Sequence, residues 1–131
     1  AVLDVVGLAC DGAARVDRPI GVCGESAGDP LLALVLVGLG VSSLSMAPSK
    51  VPVVRLALSL HSVAECQAIA AAARGARTAV DALTAVREAA RTELTDLLVE
   101  QGRVVDRHQA LGGGRGRVAC EQARSSSWLG P

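Results

Sequence analysis

Aromatic side chains are almost missing from this 131-residue chain: there is no Phe, no Tyr and one Trp, Trp128, near the end. A core without rings has to be built from Ala, Val, Leu and Ile, which suits parallel strands and closely packed helices. A surplus of charge is missing too. Thirteen Lys and Arg balance thirteen Asp and Glu, and Lys50 is the one lysine. A neutral chain lacks the cationic excess on which nucleic-acid binding rests, so no nucleic-acid partner is expected. At 50% hydrophobic residues the chain is too apolar for a disordered polyampholyte. Paired cysteines are also absent. Cys10, Cys23, Cys66 and Cys120 are widely spaced, none in a C-x-x-C pair, and His61 and His108 stand apart. That pattern excludes an ordinary structural zinc site and a disulfide framework, so no metal ligands are assigned and a reducing, cytoplasmic setting is expected. Long apolar runs are lacking. The longest, Leu31 to Val41, has eleven residues, whereas a membrane span needs about 18 to 20. No basic, apolar leader opens the chain. The start on an amphipathic segment without an initiator methionine reads as a piece of a longer protein.

What is present is an alternation of apolar periods. Val2, Val5, Val6, Ala9, Ala13 and Val16 recur at helical spacing and predict a helix over Ala1 to Val16. Asp17-Arg18-Pro19 breaks it, and Pro19 to Cys23 reads as a buried strand. Gly24 to Asp29 reads as a loop. Asp29-Pro30 is a helix start, with Asp as cap and Pro at the first position, and Leu31 to Leu39 is the helix, stopped by Gly40. Val41 to Met46 is a second strand. Lys50 to Leu60 is helical in spacing, with Val53, Val54, Ala57 and Leu58 on one face. Ser62 and Glu65 have capping-box spacing, so a helix begins at Val63 and ends near Gly75. Thr78 to Gln101 reads as one long helix whose stripe is Val80, Leu83, Val86, Ala90, Leu94, Leu97 and Leu98.

Alternating helices and strands imply a parallel sheet and an α/β class. Two strands alone leave edges and faces uncovered. The expected fold is therefore the carboxyl-terminal fragment of a (β/α)8 TIM barrel, in the order helix-strand-helix-strand-helix, followed by additional helices. This unit is expected to span residues 1–101. Residues 102–131, with Gly112-Gly113-Gly114 and Ser125-Ser126-Ser127, have no period and are expected to be an irregular, disordered tail.

The stretch from Gly21 to Pro30 carries the chemistry. Cys23 ends a strand and is followed by Gly24 and Glu25. In a (β/α)8 barrel, active sites lie at that end of the strands. Free cysteine often only fills space, so spacing leaves packing and chemistry both open. Asp29 is preferred as a helix cap, Met46 as packing, and Arg15, Arg18 and Arg55 as solvated charges. Cys10 and Cys66 are expected to be buried thiols and His61 a surface residue.

From Ala1 to about Leu98 the sequence resembles the carboxyl-terminal end of the phosphoenolpyruvate–protein phosphotransferases, enzyme I of the bacterial phosphotransferase system. The matching pieces are Ile20-Gly21-Val22-Cys23-Gly24-Glu25, Ala27-Gly28-Asp29, Leu36-Val37-Gly38-Leu39-Gly40-Val41, Leu44-Ser45-Met46 and Val51-Pro52-Val53-Val54-Arg55. The Cys-Gly-Glu segment is shared with pyruvate phosphate dikinase and phosphoenolpyruvate synthase, the enzymic alternatives; Leu-Ser-Met favours enzyme I. An inert remnant or interaction module is the non-enzymic alternative. The resemblance implies a Mg²⁺-dependent, cytoplasmic, homodimeric enzyme of sugar transport. It takes the phosphoryl group of phosphoenolpyruvate onto a histidine of another domain and then to the phosphocarrier HPr. It implies that Cys23 protonates the enolpyruvate left behind. Such an acid must be held rigidly and stay protonated until it acts, which an apolar setting favours. Gly24 is expected to leave room for substrate and Glu25 to orient it. The family's Mg²⁺ ligands, substrate arginines and phosphohistidine lie on earlier segments, so the isolated chain is expected to be inactive.

Overall fold

The computed structural model describes residues 2–111. In chain order they form α1 (Val2–Arg15), β1 (Gly21–Cys23), α2 (Glu25–Gly28), α3 (Pro30–Gly38), β2 (Ser43–Ser45), a 3-10 turn (Pro48–Lys50), α4 (Val51–Ser59), α5 (Val63–Gly75), α6 (Ala79–Ala89) and α7 (Thr92–Leu111). The chain divides into two units, 1–99 and 100–131. Among the described residues the second holds the latter half of α7. Among them, too, no single helix is long and apolar enough to cross a membrane.

The sheet is two-stranded and parallel, pairing Gly21 with Ser43, Val22 with Leu44 and Cys23 with Ser45. The strands are shorter than the apolar runs predict, although just before the ladder the Ser42 N–H donates to the Ile20 carbonyl at 2.9 Å. The Ser42 hydroxyl accepts from the Ile20 N–H at 3.1 Å and donates to the Ile20 carbonyl at 2.9 Å.

Helix α3 is apolar all round and therefore central. Its Leu31, Leu34 and Val35 pack into one cluster with Ala57, Cys66, Ile69, Ala70, Val86 and Leu94. Leu36 belongs to a second cluster with Cys10 and Val41, against which Val22 and Leu44 of the sheet pack. Both ends of α3 are closed as the sequence predicts. The Asp29 carboxylate accepts from the Leu32 N–H at 2.8 Å. At the other end Gly40 takes φ +100°, and the Val41 N–H reaches back to the Leu36 carbonyl at 3.1 Å.

The backbone of α3 runs against α5. A Cβ at Gly38 would stand 2.0 Å from the Cys66 carbonyl oxygen and 2.9 Å from the Ala70 Cβ. The facing stripe of α5 is narrow, with Cys66, Ala70 and Ala73 buried beside Ile69. Burial pushes the Cys66 thiol up from its ordinary range, with Glu65 adding to the effect, and it pushes Cys10 up likewise.

Several expectations are corrected. The expected loop Gly24 to Asp29 contains α2, whose Ala27 and Gly28 are buried. The face that α1 buries carries Gly7 and Cys10, while Val2, Val5 and Val16 of the predicted stripe are exposed. The predicted helix over 78–101 is two helices, broken at Ala90 and Arg91. The break is tertiary in origin. The Arg91 N–H donates not to an earlier turn but to Nε2 of His61, at 3.0 Å, and Nδ1 of His61 faces the Ala57 carbonyl at 2.8 Å. His61 is thus buried, at 9% exposure, rather than a surface residue. Since an N–H can only donate, Nε2 accepts and Nδ1 carries the proton. Within the segment expected to be irregular, α7 continues to Leu111; residues 112–131, including Cys120 and Trp128, lie outside the described residues.

The Ser62–Glu65 capping box forms as predicted. Glu65 Oε2 accepts from the Ser62 N–H at 2.7 Å and the Ser62 Oγ accepts from the Glu65 N–H at 3.2 Å. Arg91 Nη2 donates to Glu65 Oε1 at 2.9 Å. The Ser62 N–H first, then its hydroxyl, then Arg91 lower the Glu65 carboxyl from 4.5 to about 2.

Two outcomes follow from this packing. Gly38→Ala forces α3 and α5 apart and is expected to destabilise the chain by about 2 kcal/mol or more. Gly12→Ala, at a helical position with no atom within 4 Å of the new Cβ, is expected to stabilise it by about 0.5 to 1 kcal/mol. Urea unfolding followed by circular dichroism reads both; effects of the same sign would refute the close approach at Gly38. The second outcome concerns acid. A carboxyl whose folded pKa is depressed stabilises above its unfolded pKa and loses that contribution as pH falls through the folded value. The advantage of the parent over Glu65→Gln is therefore expected at pH 6 and to fade between pH 4.5 and about 2. Urea midpoints of the pair across that range measure it, and a constant difference would contradict the cap charge.

Candidate active site

In a parallel pair both carboxyl ends open on one side, so Cys23 and the loop after Ser45 share an end of the sheet, as the sequence predicts. Side chains alternate across a strand. Val22 and Leu44 are half-buried and packed on the helices. Gly21, Cys23, Ser43 and Ser45 take the opposite face and are exposed. The apolar enclosure expected around the Cys23 thiol is therefore absent among the described residues. Cys23 is a free, exposed cysteine, whereas Cys10 and Cys66 are free and buried.

The chain leaves β1 through a turn that only glycine adopts with ease. Gly24 has φ +96° and ψ −164°. Its N–H donates to the Ser45 carbonyl at 3.2 Å, which carries the ladder one residue past Cys23. Its carbonyl accepts from the Ala27 N–H at 3.1 Å and starts α2. A Cβ at Gly24 would meet nothing within 4 Å. The position thus demands glycine for its backbone angle, whereas the sequence suggests glycine for the space it leaves.

A cavity of about 420 Å³ opens between the two strand ends, lined by Gly24, Glu25, Gly28, Ser45, Met46, Ala47 and Lys50. Of the predicted site residues, Gly24 and Glu25 form its wall. Cys23 stands on the sheet face next to it, one residue before Gly24. Asp29 is the cap of α3. Met46 is half-buried and lines the cavity, while Arg15, Arg18 and Arg55 are exposed and do not line it.

Sequence reasoning missed Gly28 and Lys50. A Cβ at Gly28 would lie 3.3 Å from Lys50 Cγ and 3.4 Å from Lys50 Cβ, so the missing side chain seats the lysine stem. The available signal was compositional: the sole lysine of the chain stands in a turn flanked by Pro48 and Pro52.

The cavity does not fit Mg²⁺ on its own. It offers one carboxylate, Glu25, beside an ammonium, whereas Mg²⁺ sites use one or two carboxylates with waters and substrate phosphates. Among the described residues no three His, Cys, Asp or Glu side chains converge on a metal position. What the site offers is a carboxylate and a lysine on an open cleft, with an exposed thiol on the adjoining strand end.

Residues 1–63 match the family described as PEP-utilising enzyme, PEP-binding domain. The chain is 49% identical over 87 residues to the phosphoenolpyruvate-protein phosphotransferase of Streptomyces coelicolor, covering 66% of this chain and 16% of that protein. It is 44% identical over 90 residues to the multiphosphoryl transfer protein of Xanthomonas campestris pv. campestris, covering 67% of this chain and 11% of that protein. The corresponding enzyme of Haloferax volcanii is 40% identical over 70 residues, covering 53% of this chain and 12% of that protein. The chain thus spans at most about a sixth of the length of these relatives. The strand, glycine turn and cleft around Cys23 all fall inside the matched segment, so it is this part of the chain that is similar to the PEP-binding domain of the PEP-utilising enzymes.

Proposed function

We propose that this chain is the carboxyl-terminal part of a (β/α)8 barrel that binds phosphoenolpyruvate in a phosphoenolpyruvate–protein phosphotransferase, and that Cys23 is its proton donor. One observation carries the reading: Cys23 is exposed at the carboxyl end of β1, on the open sheet face, beside the Gly24–Glu25 wall of the cleft. The relatives' printed names agree with the reaction class.

The chemistry runs in two stages. The phosphoryl group leaves phosphoenolpyruvate for a histidine of another domain, and the bridging oxygen keeps the electron pair of the broken P–O bond. The resulting enolate collapses to a carbonyl as its methylene carbon takes a proton from the Cys23 thiol. Pyruvate forms, and the thiolate regains its proton from solvent. A carbon acid needs its donor at one face and a fixed distance, and a strand end held by the ladder supplies that. The exposed position of Cys23 leaves the returning proton a path. Glu25, at the start of α2, orients substrate across the cleft. Gly24 brings its backbone close to substrate.

In the whole enzyme HPr is the phosphoryl acceptor, the barrel forms a homodimer, and the setting is cytoplasmic and serves sugar uptake. Mg²⁺ would be held by residues outside this chain, since those of the cleft do not fit it.

Two assays test the proposal. The 131-residue chain alone is expected to phosphorylate no HPr from phosphoenolpyruvate with Mg²⁺ present, because it holds too few groups to bind and polarise the substrate. In a chimera joining this segment to the upstream part of the Streptomyces coelicolor relative, Cys23→Ala is expected to leave histidine phosphorylation nearly intact. Pyruvate release should fall by about 10² to 10⁴, the usual worth of a positioned acid. Phosphohistidine and pyruvate are followed in parallel; equal pyruvate release in variant and parent removes Cys23 as the proton donor.

A further inference from the structure

His61 is a titratable ring that the cleft chemistry does not use. It is buried, and both of its nitrogens are committed. Nδ1 donates to the Ala57 carbonyl at 2.8 Å, near the end of α4, and Nε2 accepts from the Arg91 N–H at 3.0 Å, at the break between α6 and α7. The Ala90 N–H still closes α6 onto the Val86 carbonyl at 2.9 Å, and the next N–H along, that of Arg91, has turned out to the ring. Only the neutral ring with its proton on Nδ1 makes both bonds.

A protonated imidazole has two donors and no acceptor. A proton taken at Nε2 occupies the lone pair that holds the Arg91 N–H, and two donors then face each other at 3.0 Å. A ring flip does not help, since both nitrogens now donate. The new charge meets no idle counterion. Glu65 of α5 is the carboxylate bonded at this node, and its oxygens already take the Ser62 N–H and hydroxyl on one side and Arg91 on the other. Arg91 itself brings like charge. Arg55 of α4 and Arg87 and Glu88 of α6 line other clefts, Glu93 and Asp96 of α7 are exposed, and the Cys66 thiol is buried in the α3–α5 cluster. Histidine is the side chain that ordinarily changes charge between about pH 5 and 8, whereas Glu65, lowered to about 2, stays ionised throughout that window.

We propose that His61 is a pH-sensitive latch: neutral, it holds the α6–α7 junction against the end of α4, and protonated, it lets that junction go, so that α6 and the first turn of α7 loosen from the α3–α5 core. The residues drawn away are Val86, Ala90 and Leu94, which are buried in that core. A donor left unmatched in a buried place is enough to shift a local opening equilibrium, because local opening costs less than global unfolding. The latch shares no residue with the cleft, so it stands or falls apart from the role of Cys23.

The test is amide hydrogen exchange of the ¹⁵N-labelled 131-residue chain, read by NMR at about pH 7.5 and about pH 5 and corrected for intrinsic rates. Protection at Ala90, Arg91 and Leu94 is expected to fall at least about ten-fold at the lower pH, while that at Ala33 and Leu34 of α3 stays level. His61→Gln keeps an acceptor for the Arg91 N–H and takes up no proton in this range, so its protection should be the same at both pH values. His108→Gln, at the other histidine of the chain, should behave as the parent. Where His61→Gln fails to fold, the parent answers alone: the ¹³C shifts of the His61 ring and the loss of Arg91 protection should follow one midpoint. A ring that stays neutral down to about pH 5, an Arg91 amide indifferent to the ring's titration, an equal loss of protection over α3, or an acid loss that persists in His61→Gln overturns the latch.

Discussion

The backbone of α3 at Gly38 lies where a side chain on that residue would overlap the Cys66 carbonyl, and the rest of the layout depends on that contact. Among the described elements, α3 alone supplies buried residues to both clusters. Its distance from α5 fixes where its other side meets α1 and the sheet. A helix apolar all round has no polar face to set its rotation. The rotation is set instead by the one position at which the neighbouring backbone can come close, and by caps at both ends. Asp29 anchors the start, and Gly40 with Val41 closes the finish. The Asp29 cap follows directly on Gly28, which seats Lys50, and Gly40 leads into β2. The clefted end of the sheet thus inherits its geometry from α3.

The second organising contact joins distant parts of the chain. His61 spends both ring nitrogens, donating from Nδ1 to Ala57 and accepting at Nε2 from the Arg91 N–H. The Arg91 side chain reaches Glu65 in the same place. These bonds hold the end of α4, the start of α5 and the α6–α7 break at one node. The Arg91 N–H gives up a place in a continuous helix, and Ala90 and Leu94 gain burial in the α3–α5 cluster. A buried hydrogen bond is worth little in net terms and much if left unmade. The node is therefore a determinant of where the chain bends more than a large source of stability.

This division explains what could be read from the sequence. Elements governed by local chemistry were legible: the Asp29-Pro30 start, the Gly40 stop, the Ser62–Glu65 box, and the strand ending at Cys23. Each depends on residues within a turn or two. What failed depended on distant partners. The break at Ala90 and Arg91 needs His61, thirty residues earlier in sequence. The start of the sheet is tied by Ser42 bonding Ile20, twenty-two residues away in sequence. The exposed stripe Val2, Val5 and Val16 has perfect helical spacing, yet spacing cannot say which of two apolar faces packs on α3 and the sheet. At the site, Cys23, Gly24 and Glu25 were legible because they are contiguous. Lys50 was not, because only the fold lays its stem on Gly28.

Three described thiols in one chain make the assignment of chemistry a matter of surroundings. Cys10 and Cys66 point into packed clusters, where burial raises their pKa and denies access to any substrate. Cys23 shares their residue type and little else. It stands on the solvent face of the sheet because strand alternation gives Val22 to the core, and Val22 faces the core because Leu44 beside it does. A register slip of one residue would bury the thiol and expose the valine. The parallel register of three residue pairs is thus what separates an exposed position from a packing one. The same register brings the Gly24 N–H to the Ser45 carbonyl and so sets the cleft wall beside the thiol. The exposure of Cys23 is in that sense a consequence of the sheet, and the sheet in turn packs against the cluster to which α3 contributes Leu36.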